Sequence, residues 1–213
     1  MIASLPPIDT RPTMTDRPYA ESCDQNREPI AEILARHAEG RCSVLEIGSG
    51  TGQHAVYFAE RFDWLDWQPS DLEEHHAGIE AWRAASGRAN VRAPLPLDVS
   101  GDWPDQEYDL VFSANTLHIM AADEVEDFFS RVPRVMHADS RLLVYGPFNY
   151  EGRYTSISNA RFDRWLKQRD PLSGIKDFEW LEDLAVRAGL ECIEDHPMPA
   201  NNRMLVWRRF VAD

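Results

Sequence analysis

The stretch Glu46-Ile47-Gly48-Ser49-Gly50-Thr51-Gly52-Gln53 joins a short apolar, β-branched run, Ser43 to Ile47, to a segment with helical spacing. A buried strand that meets a helix through alternating glycines decides the fold. Glycine takes positive φ freely and lets a ligand approach the backbone where a Cβ would collide. The helix beyond it offers free N–H groups in its first turn. A dinucleotide fingerprint, G-x-G-x-x-G, seats a pyrophosphate there. Here Gln53 stands at the third glycine position, and the last glycine comes one residue early. Glu46 would oppose a pyrophosphate, so the pattern suits a ligand that carries an amino group and no phosphate. A purely structural tight turn is the competing explanation.

On both sides of the loop, helical and extended patterns alternate. Asp24 to Glu39 has apolar residues at helical spacing and Gly40 as its stop; Gln53 to Arg61 follows the glycine loop. Leu65 to Pro69, closed by Ser70-Asp71, is a second strand, and Glu74 to Ser86 a helix. Ala93 to Leu97 is a third strand whose two prolines place it at a sheet edge. Tyr108 to Ser113 is a fourth strand, Asp123 to Met136 a helix that Pro133 kinks, and Arg141 to Tyr145 a fifth strand. Asp177 to Ala188 is helical, and Leu190 to Glu194 and Met204 to Phe210 are the last strands, with only His196 to Arg203 between them. Alternation predicts a doubly wound α/β fold with a mostly parallel seven-stranded sheet. The helix-free last connection forces a C-terminal antiparallel β-hairpin. Residues 1–17 are expected to form a flexible arm, and 18–213 a single domain.

Composition narrows the function. The chain has 213 residues, with 36 acidic against 22 basic residues and a formal net charge of −14. A surface of that sign repels phosphate backbones, and no basic run offsets it, so nucleic acid is excluded as a partner. No stretch is apolar enough for a membrane span. Cys23, Cys42 and Cys192 are too scattered for a disulfide framework, which points to a reducing cytoplasm. His75 and His76 are adjacent but lack a third ligand, so no metal site is expected.

Acidic residues recur at successive strand ends. Asp71 ends the second strand, where a carboxylate accepts from ribose hydroxyls, and Asp98-Val99 ends the third, placed for an adenine amine. At this point the chain resembles the class I methyltransferases, and more narrowly the methyltransferase-like 26 family. The narrower resemblance rests on Asn26-Arg27-Glu28-Pro29-Ile30, Ser49 to Ala55, Trp67-Gln68-Pro69-Ser70-Asp71, Tyr145-Gly146-Pro147-Phe148 and Met198-Pro199-Ala200-Asn201-Asn202. It implies S-adenosyl-L-methionine as cofactor, held by Asn26, Glu46, Gly48, Ser49, Gly50, Gly52, Asp71, Leu72, Asp98, Val99 and Asn115. It names no acceptor, and the segment Tyr19 to Asp24 departs from the more aliphatic run expected there.

The rest of the chain points to a small-molecule acceptor with a sulfur or oxygen nucleophile. Methyl transfer from a sulfonium needs mainly positioning, and a base only when the nucleophile arrives protonated. Asn115-Thr116-Leu117-His118 ends the fourth strand and lacks the Asn-Pro-Pro-aromatic run of enzymes acting on amide or base nitrogens. His118 is either a general base or a structural hydrogen-bonder. Gly146 to Lys176 is too long for a plain connection and is rich in aromatics. Tyr19, Phe148, Tyr150, Tyr154, Asn201 and Asn202 are expected to line the acceptor pocket, whereas Phe162 and Trp165 equally suit a satellite core. Rival functions are a protein methyltransferase, a nucleotide-dependent oxidoreductase, and a non-catalytic partner subunit that only binds the cofactor. Oligomeric state is not legible.

Overall fold

In the computed structural model, which describes residues 17–210, β1 (Ser43–Ile47) lies in mid-sheet between β2 (Asp66–Asp71) and β4 (Tyr108–Ala114), parallel to both. β3 (Leu95–Pro96) pairs with β2 and β5 (Met136–Gly146) with β4, again in parallel. The hairpin of β8 (Leu190–Met198) and β9 (Asn202–Arg209) enters antiparallel, with β9 between β5 and β8. The resulting order, β3-β2-β1-β4-β5-β9-β8, is the seven-stranded, mostly parallel sheet that the alternation implied. The arm expected at 1–17 lies outside the described residues, save Arg17.

Side-chain alternation along each strand divides the core in two. Val44, Leu110, Phe112, Tyr145 and Val206 face α1 (Glu21–Ala38) and α2 (Gln53–Arg61). Leu45, Val111, Val144 and Trp207 face α4 (Ala122–Arg131) and α6 (Phe178–Arg187). Behind the glycine loop, Phe58 packs against Trp67 and Phe112 with ring centroids 5.5 Å away. Truncating such a buried aromatic to alanine costs about 3–5 kcal/mol, so this cluster anchors the loop firmly.

Several elements differ from the expected boundaries. α1 begins at Glu21, three residues before Asp24, and helix α3 (His76–Ser86) follows a tight turn at Glu73–His75. β3 keeps only two residues, because Pro94 and Pro96 lack the N–H a ladder needs. Pro133 ends α4 instead of kinking it: the α-helix stops at Arg131, a 3₁₀ turn carries Pro133, and Met136 already opens β5. The excursion after β5 holds a helix the sequence did not announce, α5 (Ile157–Arg169). Two short parallel strands, β6 (Phe148–Asn149) and β7 (Lys176–Asp177), close it at its base.

Candidate active site

Parallel strands end at one edge, so Gly48, Asp71, Asp98 and Asn115 converge there from four strands. The loop glycines take positive φ, +74° at Gly48, +54° at Gly50 and +86° at Gly52, but for different reasons. A Cβ on Gly48 would lie 2.6 Å from the Thr116 side chain, and one on Gly52 2.8 Å from the Ile79 backbone. Those two serve close packing. Gly50 has nothing within 4 Å on that side and faces open space. Its N–H donates to Asp71 Oδ2 at 2.7 Å, while Asp71 Oδ1 accepts from the Leu72 amide at 2.8 Å. The Gly48 and Ser49 amides both donate to the Ser70 carbonyl at 3.0 Å, fixing the loop to β2.

Glu46 stands behind this loop. It is 1% exposed, and its Oε2 accepts from Ser49 Oγ at 3.0 Å and Trp67 Nε1 at 2.9 Å. Burial outweighs those two donors and pushes its carboxyl up to about 7. The residue therefore braces the loop and does not form part of the cavity wall.

Two adjoining hollows lie in front of the loop. One, about 210 Å³, is walled by Leu72, Leu97, Asp98, Val99 and Met120. The other, about 260 Å³, is walled by Cys23, Ser49, Gly50, Thr51 and Asn115. They share Gly48, Asp71, His75, Thr116 and Ile119. Among the described residues no lysine or arginine lines either, whereas Asp71 and Asp98 do. Acids without cations fit a positively charged, phosphate-free nucleoside and oppose a pyrophosphate. S-adenosyl-L-methionine has that chemistry.

A third hollow, about 560 Å³, meets the second at Ser22, Asn115 and Ile119. Asn115 occupies this junction at φ +59°, a strained setting that asparagine tolerates better than most residues, and its amide donates to the Tyr145 carbonyl at 2.8 Å. His118 is on the wall and 8% exposed, its ring edge-on to Phe162 at 5.2 Å. Burial, helped by Lys176, pushes its imidazole down to about 4, so the ring is neutral at physiological pH. Phe162, Trp165, Leu166 and Arg169 complete the wall with the i, i+3, i+4, i+7 stripe of α5.

The other anticipated residues stand elsewhere. Asn26 is buried, with Oδ1 2.7 Å from His54 Nε2, and also bonds the Tyr145 hydroxyl. Tyr19 is 61% exposed and donates to Asp24 at 2.5 Å. Phe148 belongs to the core, Tyr150 donates to Asp195 at 2.9 Å, and Tyr154 to Asp163 at 2.7 Å. Asn201 bonds α5 through Ser158 and Asn159, and Asn202 Nδ2 donates to the Tyr145 hydroxyl at 2.8 Å. None of these residues lines the three hollows; they tie together the elements that do. Sequence reading did not assign Ser22, Cys23, His75, Thr116, Ile119 or Arg169 to the site. Among them only Arg169 left a signal, its helical spacing from Phe162.

The strand order and this edge define the class of the molecule: it has the class I methyltransferase fold. An O-methyltransferase family protein from Burkholderia thailandensis aligns with a TM-score of 0.76, covering 87% of this chain and 57% of its own at 16% identity. CalO1, a methyltransferase in calicheamicin biosynthesis in its SAH-bound form, aligns with a TM-score of 0.70, covering 87% and 53% at 19% identity. In sequence, the highly reducing polyketide synthase rstn3 of Aspergillus nomiae is 24% identical over an alignment of 196 residues that covers 83% of this chain and 8% of the synthase. The chain thus spans little more than half of these solved neighbours and a small part of the synthase. It belongs to the family described as "Protein of unknown function (DUF938)", which it matches over residues 17–209.

Proposed function

We propose that this chain is an S-adenosyl-L-methionine-dependent methyltransferase, the cofactor following from its resemblance to the methyltransferase-like 26 family, and that it acts on a small molecule. One observation carries the reading: an acid-lined hollow, without lysine or arginine among the described residues, opens at Asn115 into an aromatic hollow that bears a neutral histidine. The cofactor supplies an electrophilic methyl group on a sulfonium. Asp71 and Asp98 would hold the nucleoside, while the Gly48 to Gly52 backbone leaves room for the amino-acid end. Phe162, Trp165 and Ile119 give the acceptor an apolar surface to lie on. His118, unprotonated at neutral pH, takes the proton of a hydroxyl acceptor as the new bond forms; a thiolate would need no such help. Among the described residues no helix is long and apolar enough to cross a membrane, and Cys23, Cys42 and Cys192 are free thiols, which supports a cytoplasmic setting.

Gly50→Val tests the cofactor assignment. Its side chain would fill the open space before the loop at a φ that β-branched residues avoid. Calorimetric titration with S-adenosylhomocysteine should show binding to the parent chain and none to the variant. Near-parental affinity in Gly50→Val would refute the site.

A further inference from the structure

The molecule carries a formal net charge of −14, yet α5, the helix that walls the third hollow, reverses the sign. It holds Arg161, Arg164, Lys167 and Arg169 against one acid, Asp163. Asp163 is 1% exposed and already matched by Lys167 at 2.7 Å. Among the described residues that is the only ion pair an α5 cation makes, so three arginines remain as excess positive charge.

Among the described residues Arg169 is the one cation lining the hollow. Its guanidinium lies 4.7 Å over the Trp165 ring, and Trp165 stacks on Phe162 at 5.8 Å and 18°. Phe162 in turn meets His118. The wall therefore runs from a neutral imidazole beside Asn115, across two near-parallel rings, to a guanidinium at the far end. Asp170, the one acid on this wall among the described residues, accepts at Oδ1 from the Leu172 amide at 3.0 Å.

We propose that the acceptor is a planar aromatic molecule bearing an ionised carboxylate, with its ring on Phe162 and Trp165, its anion on Arg169 and its nucleophile toward His118. A guanidinium pairs a carboxylate through parallel N–H bonds, and its stacking on Trp165 pre-orients it for that task. In a protein this acidic an anion needs a local positive approach, and Arg161 and Arg164 on the exposed part of α5 supply one. The word acceptor rests on the methyltransferase reading; the aromatic-anion preference of the hollow does not.

The test is calorimetric titration of the full chain with a hydroxynaphthoate and with the matching neutral hydroxynaphthamide. S-adenosylhomocysteine is titrated separately, and its failure to bind would refute the methyltransferase reading while leaving the probe comparison intact. The naphthoate should bind about tenfold or more tightly than the amide, as a charge-assisted pair requires. Arg169→Gln should abolish that preference without changing affinity for S-adenosylhomocysteine, and Arg169→Lys should restore part of it. Trp165→Ala should weaken both probes alike. Equal affinities, a preference for the amide, no saturable binding of either probe, or a preference that survives Arg169→Gln would each overturn the proposal.

Discussion

Glu46 shows how one residue can be placed by sequence and still be read for the wrong contact. Its position before the first loop glycine suggested a direct partner for a ligand ammonium, but its hydrogen bonds run to Ser49 and Trp67 behind the loop. The glycine loop, Asp71 and Asp98 were legible because strand ends announce themselves in local composition. Ser22 and Cys23 were not, because only tertiary packing brings the first turn of α1 over that loop. The charge of Glu46 remains consequential. Its folded value of about 7 exceeds the ordinary 4.5, so the folded state holds a proton that the unfolded chain has released. Stability is therefore lost as pH rises through this window, by about 3 kcal/mol once both states are ionised. Glu46→Gln should unfold at higher urea than the parent at about pH 8 and lose that advantage at about pH 4, where both proteins are neutral at this site. Binding a cation in front of the loop should also drive the remaining proton off Glu46. Titrating S-adenosylmethionine near pH 7 in buffers of different ionisation enthalpy should then reveal proton release, and heats independent of the buffer would contradict it.

The elements divide by how plainly their buried faces are written. β1, α2 and β4 were legible almost to the residue because each buries a run or stripe of apolar side chains. α5 was invisible because its buried residues are Asn159, Asp163 and Leu166, two polar groups among three. Besides the Phe162 to Arg169 spacing, its sequence mark is Ser156, whose Oγ accepts from the Asn159 amide at 3.0 Å and caps the first turn. Polar anchors explain why the helix folds without a buried apolar stripe: Asp163 accepts from Tyr154, Lys167 and the Ile175 amide. Asparagines at the β8–β9 tip then clamp α5 to the sheet, with Asn159 Nδ2 donating to the Asn201 carbonyl at 3.0 Å. Ser156→Ala should cost about 1 kcal/mol of stability through the lost cap. Hydrogen exchange should quicken in the first turn of α5, while affinity for S-adenosylhomocysteine, whose proposed hollows α5 does not line, stays level. Unchanged exchange at Asn159 and Ala160 would show that the clamp alone holds the helix.

Among the described residues, two buried histidines pushed strongly down and one buried carboxyl pushed strongly up bear on pH in opposite directions. His54, packed between Asn26 and Phe58, and His118, beside Phe162, are both pushed by burial from 6.5 down to about 4. For a base with a depressed value, the unfolded chain takes up the proton first, so stability falls as pH drops from 6.5 toward 4. His37 is lowered by burial as well and acts in the same direction. Glu46 opposes them, binding its extra proton in the folded state across nearly the same interval. The histidines outweigh the single carboxyl, so the unfolded state binds more protons at low pH. Stability should thus climb between about pH 4.5 and 6.5, then turn downward as Glu46 alone continues to titrate. Urea unfolding at a series of pH values measures this slope directly. His118→Gln removes one of the two histidine protons and should flatten the rise, with little change above about pH 7, where the ring is neutral in both states. A parental curve that is level across this interval, or a His118→Gln curve as steep as the parent, would mean that His118 is solvated. It would then be protonated in mild acid and unable to act there as the base proposed for the acceptor.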